Sequence, residues 1–352
     1  MPDKVLAQVQ RLGTENTPHL VVEHIPVPKP ANHEVLVKVA HAGQNPTDVQ
    51  SLDSNAFGDG AVLGCDFVGT VEEIGEEVTK AAKGDVVAGL IWGAGEIKGL
   101  GAYSQYSIAN ESISFKVPQS ITLAEASTVP LASATAWLAL FSKDSLHMDR
   151  RAGKDTSILV WGGSSSVGLY AIQFAALHGF KVITTCSPRH FDRVKSLGAD
   201  YAFDYRAEDV ASSIKKVVPG LSHVFDTIGA SQSSATASQA VGEQGGVLCT
   251  VRPGKANTES VTERTKVTDV LVWTAFLKDH RYGDFFWPAS KDDHELASEL
   301  FEKLPTWLET GIIKPSVPKL LGGLDAVPAG FQEYRDGKVS GYKIVYKLDD
   351  GK

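Results

Sequence analysis

Through the middle of the chain, short apolar runs alternate with helix-length segments, a rhythm that predicts strands alternating with helices in a parallel sheet. Ser157 to Trp161 is a brief apolar strand that meets Gly162-Gly163-Ser164-Ser165-Ser166-Val167-Gly168 and runs straight into the helical Leu169 to Leu177. Gly179 stops that helix, and Lys181 to Cys186 reads as a second strand. Phe191 to Leu197 reads as a short helix closed by Gly198, Tyr201 to Tyr205 as a third strand, and Ala207 to Val218 as a third helix. His223 to Asp226 and Gly246 to Val251 supply two more strands around the helix-compatible Gln232 to Val241.

The flanks follow a different pattern. Val5 to Val9, Leu20 to Val22, Glu34 to Val39, Phe67 to Glu72 and Asp85 to Leu90 are short or alternating apolar runs broken by Gly and Pro, as in an irregular β-rich domain. The loop Ile91 to Leu100 precedes a strand expected at Gly101-Ala102-Tyr103. Pro130 to Phe141 is rich in Ala and Leu and reads as a connecting helix. Asp292 to Glu309 is helical, with Pro305 expected to bend or split it, and Tyr342 to Lys347 closes the chain as a strand. The expected organisation is residues 1–127 in a β-rich domain, 128–285 in a dinucleotide domain and 286–352 returning to the first.

The glycine loop carries the first chemical signal. A strand opening directly into a helix can hold a dinucleotide pyrophosphate on free N–H groups at the helix N-terminus. Gly163 and Gly168 have the first-to-third spacing of G-x-G-x-x-G, but Ser165 stands where the middle glycine belongs. Ser164, Ser165, Ser166 and Val167 are therefore expected at the pyrophosphate, with hydroxyl donors added to backbone ones. An NAD site usually places an acid about 20 residues on, to bind the ribose hydroxyls. Here the second strand ends in Ser187-Pro188-Arg189-His190, and the nearest acid, Asp192, already lies in the next helix. A hydroxyl and two potential cations suit a 2′-phosphate, which points to NADPH. The competing reading leaves Arg189 and Arg193 as solvated positions at a helix start. The strand end Thr250-Val251 is expected near the nicotinamide.

Composition narrows the class. The chain has 352 residues, 43% hydrophobic and 22% charged, which is ordinary for a globular protein with room for two domains. A net charge of −8 argues against a nucleic-acid surface. No window approaches the roughly 20 apolar residues of a membrane span, and the first residues lack the apolar core of a signal peptide. Three scattered cysteines, Cys65, Cys186 and Cys249, form neither a disulfide framework nor a metal spacing. A reducing, cytoplasmic setting is expected.

Several strings in order resemble the medium-chain dehydrogenase/reductase superfamily: Ala42-Gly43-Gln44-Asn45-Pro46-Thr47-Asp48, Leu63 to Val71, Gly84-Asp85-Val86-Val87, Gly101 to Tyr106 and Leu197-Gly198-Ala199-Asp200. The resemblance implies an α/β fold, a Rossmann doubly wound parallel sheet beside a GroES-like β-rich catalytic domain. Within the superfamily the chain looks most like zinc-independent quinone and enoyl reductases, and like fungal enoyl reductases that serve polyketide synthases in trans. Zinc relatives carry a Cys before Thr-Asp and a Gly-His-Glu further on; here Asn45 and Gly64-Cys65-Asp66 take those places. Asn is a poor zinc ligand, and no third ligand lies nearby in sequence. No bound metal is therefore expected.

The same resemblance implies cofactor contacts from Asn45, Pro46, Thr47 and Asp48, from Tyr205 beside the adenosine phosphate, and from the C-terminal loop at Val339 and Ser340. The family often has Lys or Glu where Tyr342 stands. Trp92, Leu131, Ala132, Thr135, Trp273 and Phe276 are expected to wall the substrate cleft. Tyr103, Tyr106 and the ten histidines offer no distinctive acid–base pairing. The implied reaction is NADPH-dependent hydride delivery to an activated C=C bond of an enoyl thioester or enone, and the partner implied by the fungal relatives is a polyketide synthase. A detoxifying quinone or enone reductase and a non-catalytic cofactor-binding protein are the alternatives. A monomer and a homodimer both fit; Val267 to Val272 would be the pairing strand of a dimer.

Overall fold

The computed structural model describes residues 2–92, 99–282 and 285–348. The chain begins with an antiparallel pair, β1 (Lys4–Leu12) and β2 (Pro18–Pro26). β3 (Glu34–Gly43) leads into the short helix α1 (Pro46–Asp53), followed by β4 (Asp66–Ile74), β5 (Val86–Leu90), β6 (Tyr106–Asn110) and β7 (Ser114–Lys116). β3 and β4 bury Val35, Leu36, Val37, Val39, Phe67, Val68 and Val71, so over much of their length both faces lie against apolar cores.

The strand expected at Gly101-Ala102-Tyr103 does not form. Their N–H groups go to a loop, Ala102 N–H donating to Gly64 O (2.9 Å) and Tyr103 N–H to Leu63 O (3.0 Å), while Tyr103 O accepts the Gln8 N–H of β1 (2.8 Å) without extending a ladder. Only Ser104 makes an isolated bridge, to Ala7. The stretch is buried throughout without joining a ladder.

Helices α2 (Leu123–Ala126) and α3 (Pro130–Phe141) lead into the second half. Every residue of α3 is buried, because it lies between the two halves and packs on helices of both. The second half is β8 (Ser157–Trp161), α4 (Ser166–Leu177), β9 (Lys181–Cys186), α5 (Phe191–Ser196), β10 (Tyr201–Asp204), α6 (Val210–Val217), β11 (His223–Asp226), α7 (Ser231–Gln239), β12 (Gly246–Thr250) and β13 (Thr265–Asp269). The strands form one parallel sheet in the order β10-β9-β8-β11-β12-β13, the doubly wound topology read from the sequence. Helices cover both faces, so Leu159, Ile183, Val224 and Leu248 are fully buried on one side and Val160, Val182 and Phe225 on the other.

Some boundaries move. The third helix starts at Val210 and not Ala207, because Ala207 N–H is taken by Asp204 O in a turn (3.1 Å). The dimer-pairing segment is shorter than expected: β13 ends at Asp269, and Val272 begins a short 3-10 turn.

A small hairpin, β14 (His280–Tyr282) and β15 (Phe285–Trp287), precedes α8 (Lys291–Glu309). Pro305 neither ends nor splits α8, whose Ala297, Leu300, Phe301, Leu304 and Leu308 are buried along one face. Packing of that face outweighs the one N–H that proline cannot donate. β16 (Pro318–Leu320), α9 (Val327–Arg335) and β17 (Lys343–Lys347) return to the first sheet, where β17 pairs antiparallel with β3.

Candidate functional site

The sheet order reverses between β8 and β11, and that crevice is where open α/β sheets bind ligands. Gly162, just past β8, has φ +87°, and a side chain there would meet Thr227 and Ile228 within 2.7 Å. The irregular Ser165 is explained by local structure. It is the N-cap of α4, its Oγ accepting Gly168 N–H at 2.9 Å and bonding Thr227 Oγ1 at 2.9 Å. Thr227 in turn donates to Trp161 O (2.8 Å). The serine hydroxyl expected at the pyrophosphate is thus committed to the loop. Ser164, Ser166 and Val167 remain half-buried on the crevice, with the first N–H groups of α4 unpaired within the helix.

A cleft of about 1160 Å³ runs from this loop between the two halves. Pockets for one drug-sized ligand span about 300–1,000 Å³, so there is space for a dinucleotide and a second molecule. Ser164 to Val167, Ser187 and Tyr205 line one end, and Asn45, Pro46, Thr47, Val251, Val339 and Ser340 face it from the middle. Trp92, Leu131, Thr135 and Trp273 line the other end, with the rings of Trp92 and Trp273 4.0 Å apart.

Eight residues expected at the site lie off its lining. Gly163 packs on Thr184 of β9. Thr250 and Ala132 are fully buried. Phe276 stands behind Trp273, its ring 6.4 Å away. Asp48 points beneath Thr47 into the first domain. Pro188, Arg189 and His190 lie outside because the last two turn toward the C-terminal loop: Arg189 Nη2 donates to Ser340 Oγ (2.8 Å), which also meets His190 Nε2 (3.1 Å). Burial and the neighbouring Arg189 and Arg193 hold the His190 pKa below its usual value. Of the loop Ile91 to Leu100, residues 93–98 lie outside the described residues.

Lys343, which the sequence reading passed over, completes the middle of the cleft. It sits one residue after Tyr342, and its ammonium forms an ion pair with Asp66 in which the two side chains are 1% and 0% exposed. Asn45 joins both partners: its Nδ2 donates to Asp66 Oδ2 (2.9 Å), and its Oδ1 accepts from Lys343 Nζ (2.9 Å). Leu131 N–H donates to Asp66 Oδ1 (2.7 Å). These residues do not fit the zinc ion of metal-bearing relatives. Asp66 is already neutralised by a cation, Asn45 is spent on hydrogen bonds, and burial together with Asp48 pushes the Cys65 thiol well above its usual pKa, away from the thiolate that zinc requires.

Beneath this group lies a pairing that the sequence reading denied to the tyrosines. Tyr103 Oη donates to Asp48 Oδ2 (2.7 Å), Cys65 Sγ to Asp48 Oδ1 (3.2 Å) and Asn45 N–H to Asp48 Oδ2 (2.7 Å). Burial nevertheless pushes Asp48 up to about 6, with the three donors opposing it. The folded protein therefore binds more protons than the unfolded chain between about pH 4 and about pH 6, and stability from this residue falls as pH rises through that window. Urea unfolding of the wild type and Asp48→Asn across these pH values should show the wild type losing on the order of 3 kcal/mol relative to the variant. A difference that does not change with pH would contradict the buried titration.

Other residues missed by the sequence reading are Thr227, Ile228, Arg252, Val270 to Val272 and His280, all on the cleft. The first two follow directly from β11, so the strand-end rule for parallel sheets was the available signal. His280 gave none.

The fold and the cleft define a two-domain oxidoreductase that uses a nicotinamide cofactor. Residues 31–119 match the alcohol dehydrogenase GroES-like domain, and residues 166–278 match the zinc-binding dehydrogenase family. The trans-enoyl reductase ACTTS2 of Alternaria alternata is 36% identical, covering 93% of this chain and 95% of that protein. A zinc-type alcohol dehydrogenase-like protein of Schizosaccharomyces pombe is 33% identical, covering 94% and 96%. The solved CurK enoyl reductase has the same fold at a TM-score of 0.77 and 20% identity, covering 99% of this chain and 100% of its own. The chain belongs to the medium-chain dehydrogenase/reductase superfamily, alongside fungal trans-enoyl reductases. Among the described residues, no helix is long and apolar enough to cross a membrane.

Proposed function

We propose that this protein is an NADPH-dependent reductase of the C=C bond of enoyl thioesters, acting in trans on chains built by a polyketide synthase. One observation carries the reading: a dinucleotide loop and an aromatic, apolar chamber share one cleft, in a chain that follows a trans-enoyl reductase over 93% of its length.

Bound NADPH would supply the hydride. The β-carbon of an enoyl thioester is already electrophilic, so the protein has only to orient the two reactants and exclude water. The α4 N-terminus, Ser164 and Ser166 would hold the pyrophosphate, and Pro46 and Thr47 would border the nicotinamide. Asn45, clamped by Asp66 and Lys343, would form the floor beneath the nicotinamide. Trp92, Leu131 and Trp273 would receive the acyl chain. The test is NADPH consumption with an α,β-unsaturated thioester, an enone and a quinone, assayed separately. Turnover of the thioester with the highest kcat/KM supports the reading; preference for the quinone overturns it.

The choice of NADPH rests on Ser187, Arg189, His190 and Tyr205 around the adenosine end. A 2′-phosphate has the charge and acceptor oxygens to draw Arg189 away from Ser340. Arg189→Ala should raise KM for NADPH about tenfold or more while leaving that for NADH within twofold to threefold, as expected for one lost charged hydrogen bond. Equal effects on both would remove the 2′-phosphate assignment.

A further inference from the structure

His280 is a polar residue set into the apolar end of the cleft. It is 4% exposed, and its ring lies 5.2 Å from Trp92 at 73° and 6.4 Å from Phe276 at 71°. Its Nε2 is buried and has no hydrogen-bond partner among the described residues. Burial lowers the pKa of the ring and so favours the neutral imidazole, in which one ring nitrogen is a bare acceptor. Buried polar atoms in folded proteins nearly always have a partner, so an orphan on a ligand cleft calls for an explanation.

We propose that His280 Nε2 accepts a hydrogen bond from a donor on the substrate's chain, which makes His280 a specificity-determining residue of the chamber. The inference rests on the enoyl thioester reading for the kind of chain involved. Trp92 and Trp273 offer carbon surface to any alkyl chain and discriminate little between chains of similar width. A single acceptor among them does discriminate, because a chain without a donor buries Nε2 unpaired. Two parts of an acyl thioester can supply the donor: a hydroxyl on the acyl chain, or the amide N–H of a pantetheine-like thiol arm. Both present the same chemistry to Nε2.

The experiment uses 2-enoyl N-acetylcysteamine thioesters with a hydroxyl at each successive carbon beyond the double bond, their deoxy parent, and the parent as a simple alkyl thioester without the amide. kcat/KM is measured with NADPH, and Kd with protein loaded with NADP⁺, for the wild type, His280→Phe and His280→Gln. The wild type should prefer one donor-bearing substrate over its donor-free counterpart by about tenfold to a hundredfold. His280→Phe should abolish that preference, and His280→Gln, which retains an acceptor, should keep part of it. A preference that depends on the hydroxyl assigns the acyl chain, and one that depends on the amide assigns the thiol arm. No preference in the wild type, or the same preference in His280→Phe, overturns the proposal. Should His280→Phe fail to fold, His280→Leu takes its place under the same criterion. Absence of turnover on every thioester would count against the enoyl reductase reading, and the Kd ratios would still decide the role of His280.

Discussion

Lys343→Met should cost the protein about 3–5 kcal/mol of stability, the usual penalty for removing one partner of a buried ion pair. The variant leaves Asp66, with a side chain 0% exposed, holding only the Asn45 amide and the Leu131 N–H against a full negative charge. Urea unfolding at neutral pH measures the loss. The double variant Asp66→Asn/Lys343→Met should recover most of it, because a neutral amide can keep the Leu131 bond without a cation beside it. The single variant should also bind NADPH more weakly, since Asn45 loses one of the two groups that orient its side chain. A single variant that unfolds at the wild-type urea concentration would mean that the pair is not formed in solution.

Gly168→Val should weaken NADPH binding by on the order of a hundredfold, as read by titration of nucleotide fluorescence. A Cβ at position 168 would lie 2.4 Å from Gly162 O and 2.8 Å from Gly163 Cα. Both are backbone atoms, so no rotamer relieves the clash, and α4 must swing away from the end of β8. That movement breaks the bond from Gly168 N–H to Ser165 and turns the free N–H groups out of the crevice. Overpacking of this kind typically costs about 1–3 kcal/mol, and here it falls on the geometry that receives the pyrophosphate. Binding within threefold of the wild type would show that the loop is not the phosphate cradle.

Five strands of the central sheet, β8 to β12, were legible because each has an apolar run ended by Gly, Pro or a polar cluster, and a parallel sheet buried on both faces needs such runs; β13, with Val267 as its one apolar residue, carries no such run. Gly101 to Tyr103 misled because a short buried segment resembles a strand in sequence whether or not its backbone has a neighbouring strand. Pro305 was expected to bend or split α8, and the buried face that holds the helix together explains why it does not split. At the site, the glycine loop could be read because its parts are adjacent in sequence. Lys343 could not: its partners Asp66 and Asn45 lie 277 and 298 residues away, and it stands one position from where the family resemblance pointed. Arg189 was singled out by residue type alone, and its side-chain direction depends on Ser340, 151 residues downstream. His280 carried no signal, because only the packing of Trp92 and Phe276 gives it meaning.

The return of β17 to β3 has a consequence for how the molecule is made. Val345, Tyr346 and Lys347 pair with Gly43, Ala42 and His41, so residues near the start wait for residues near the end. During synthesis the whole parallel sheet emerges, with its neighbour-to-neighbour strands, before the first domain can close. Until then one edge of β3 is open and Asp66 has no cation. The inserted domain is therefore expected to fold first and the surrounding one last. The floor of the cleft would be assembled in the final step, when Lys343 leaves the ribosome.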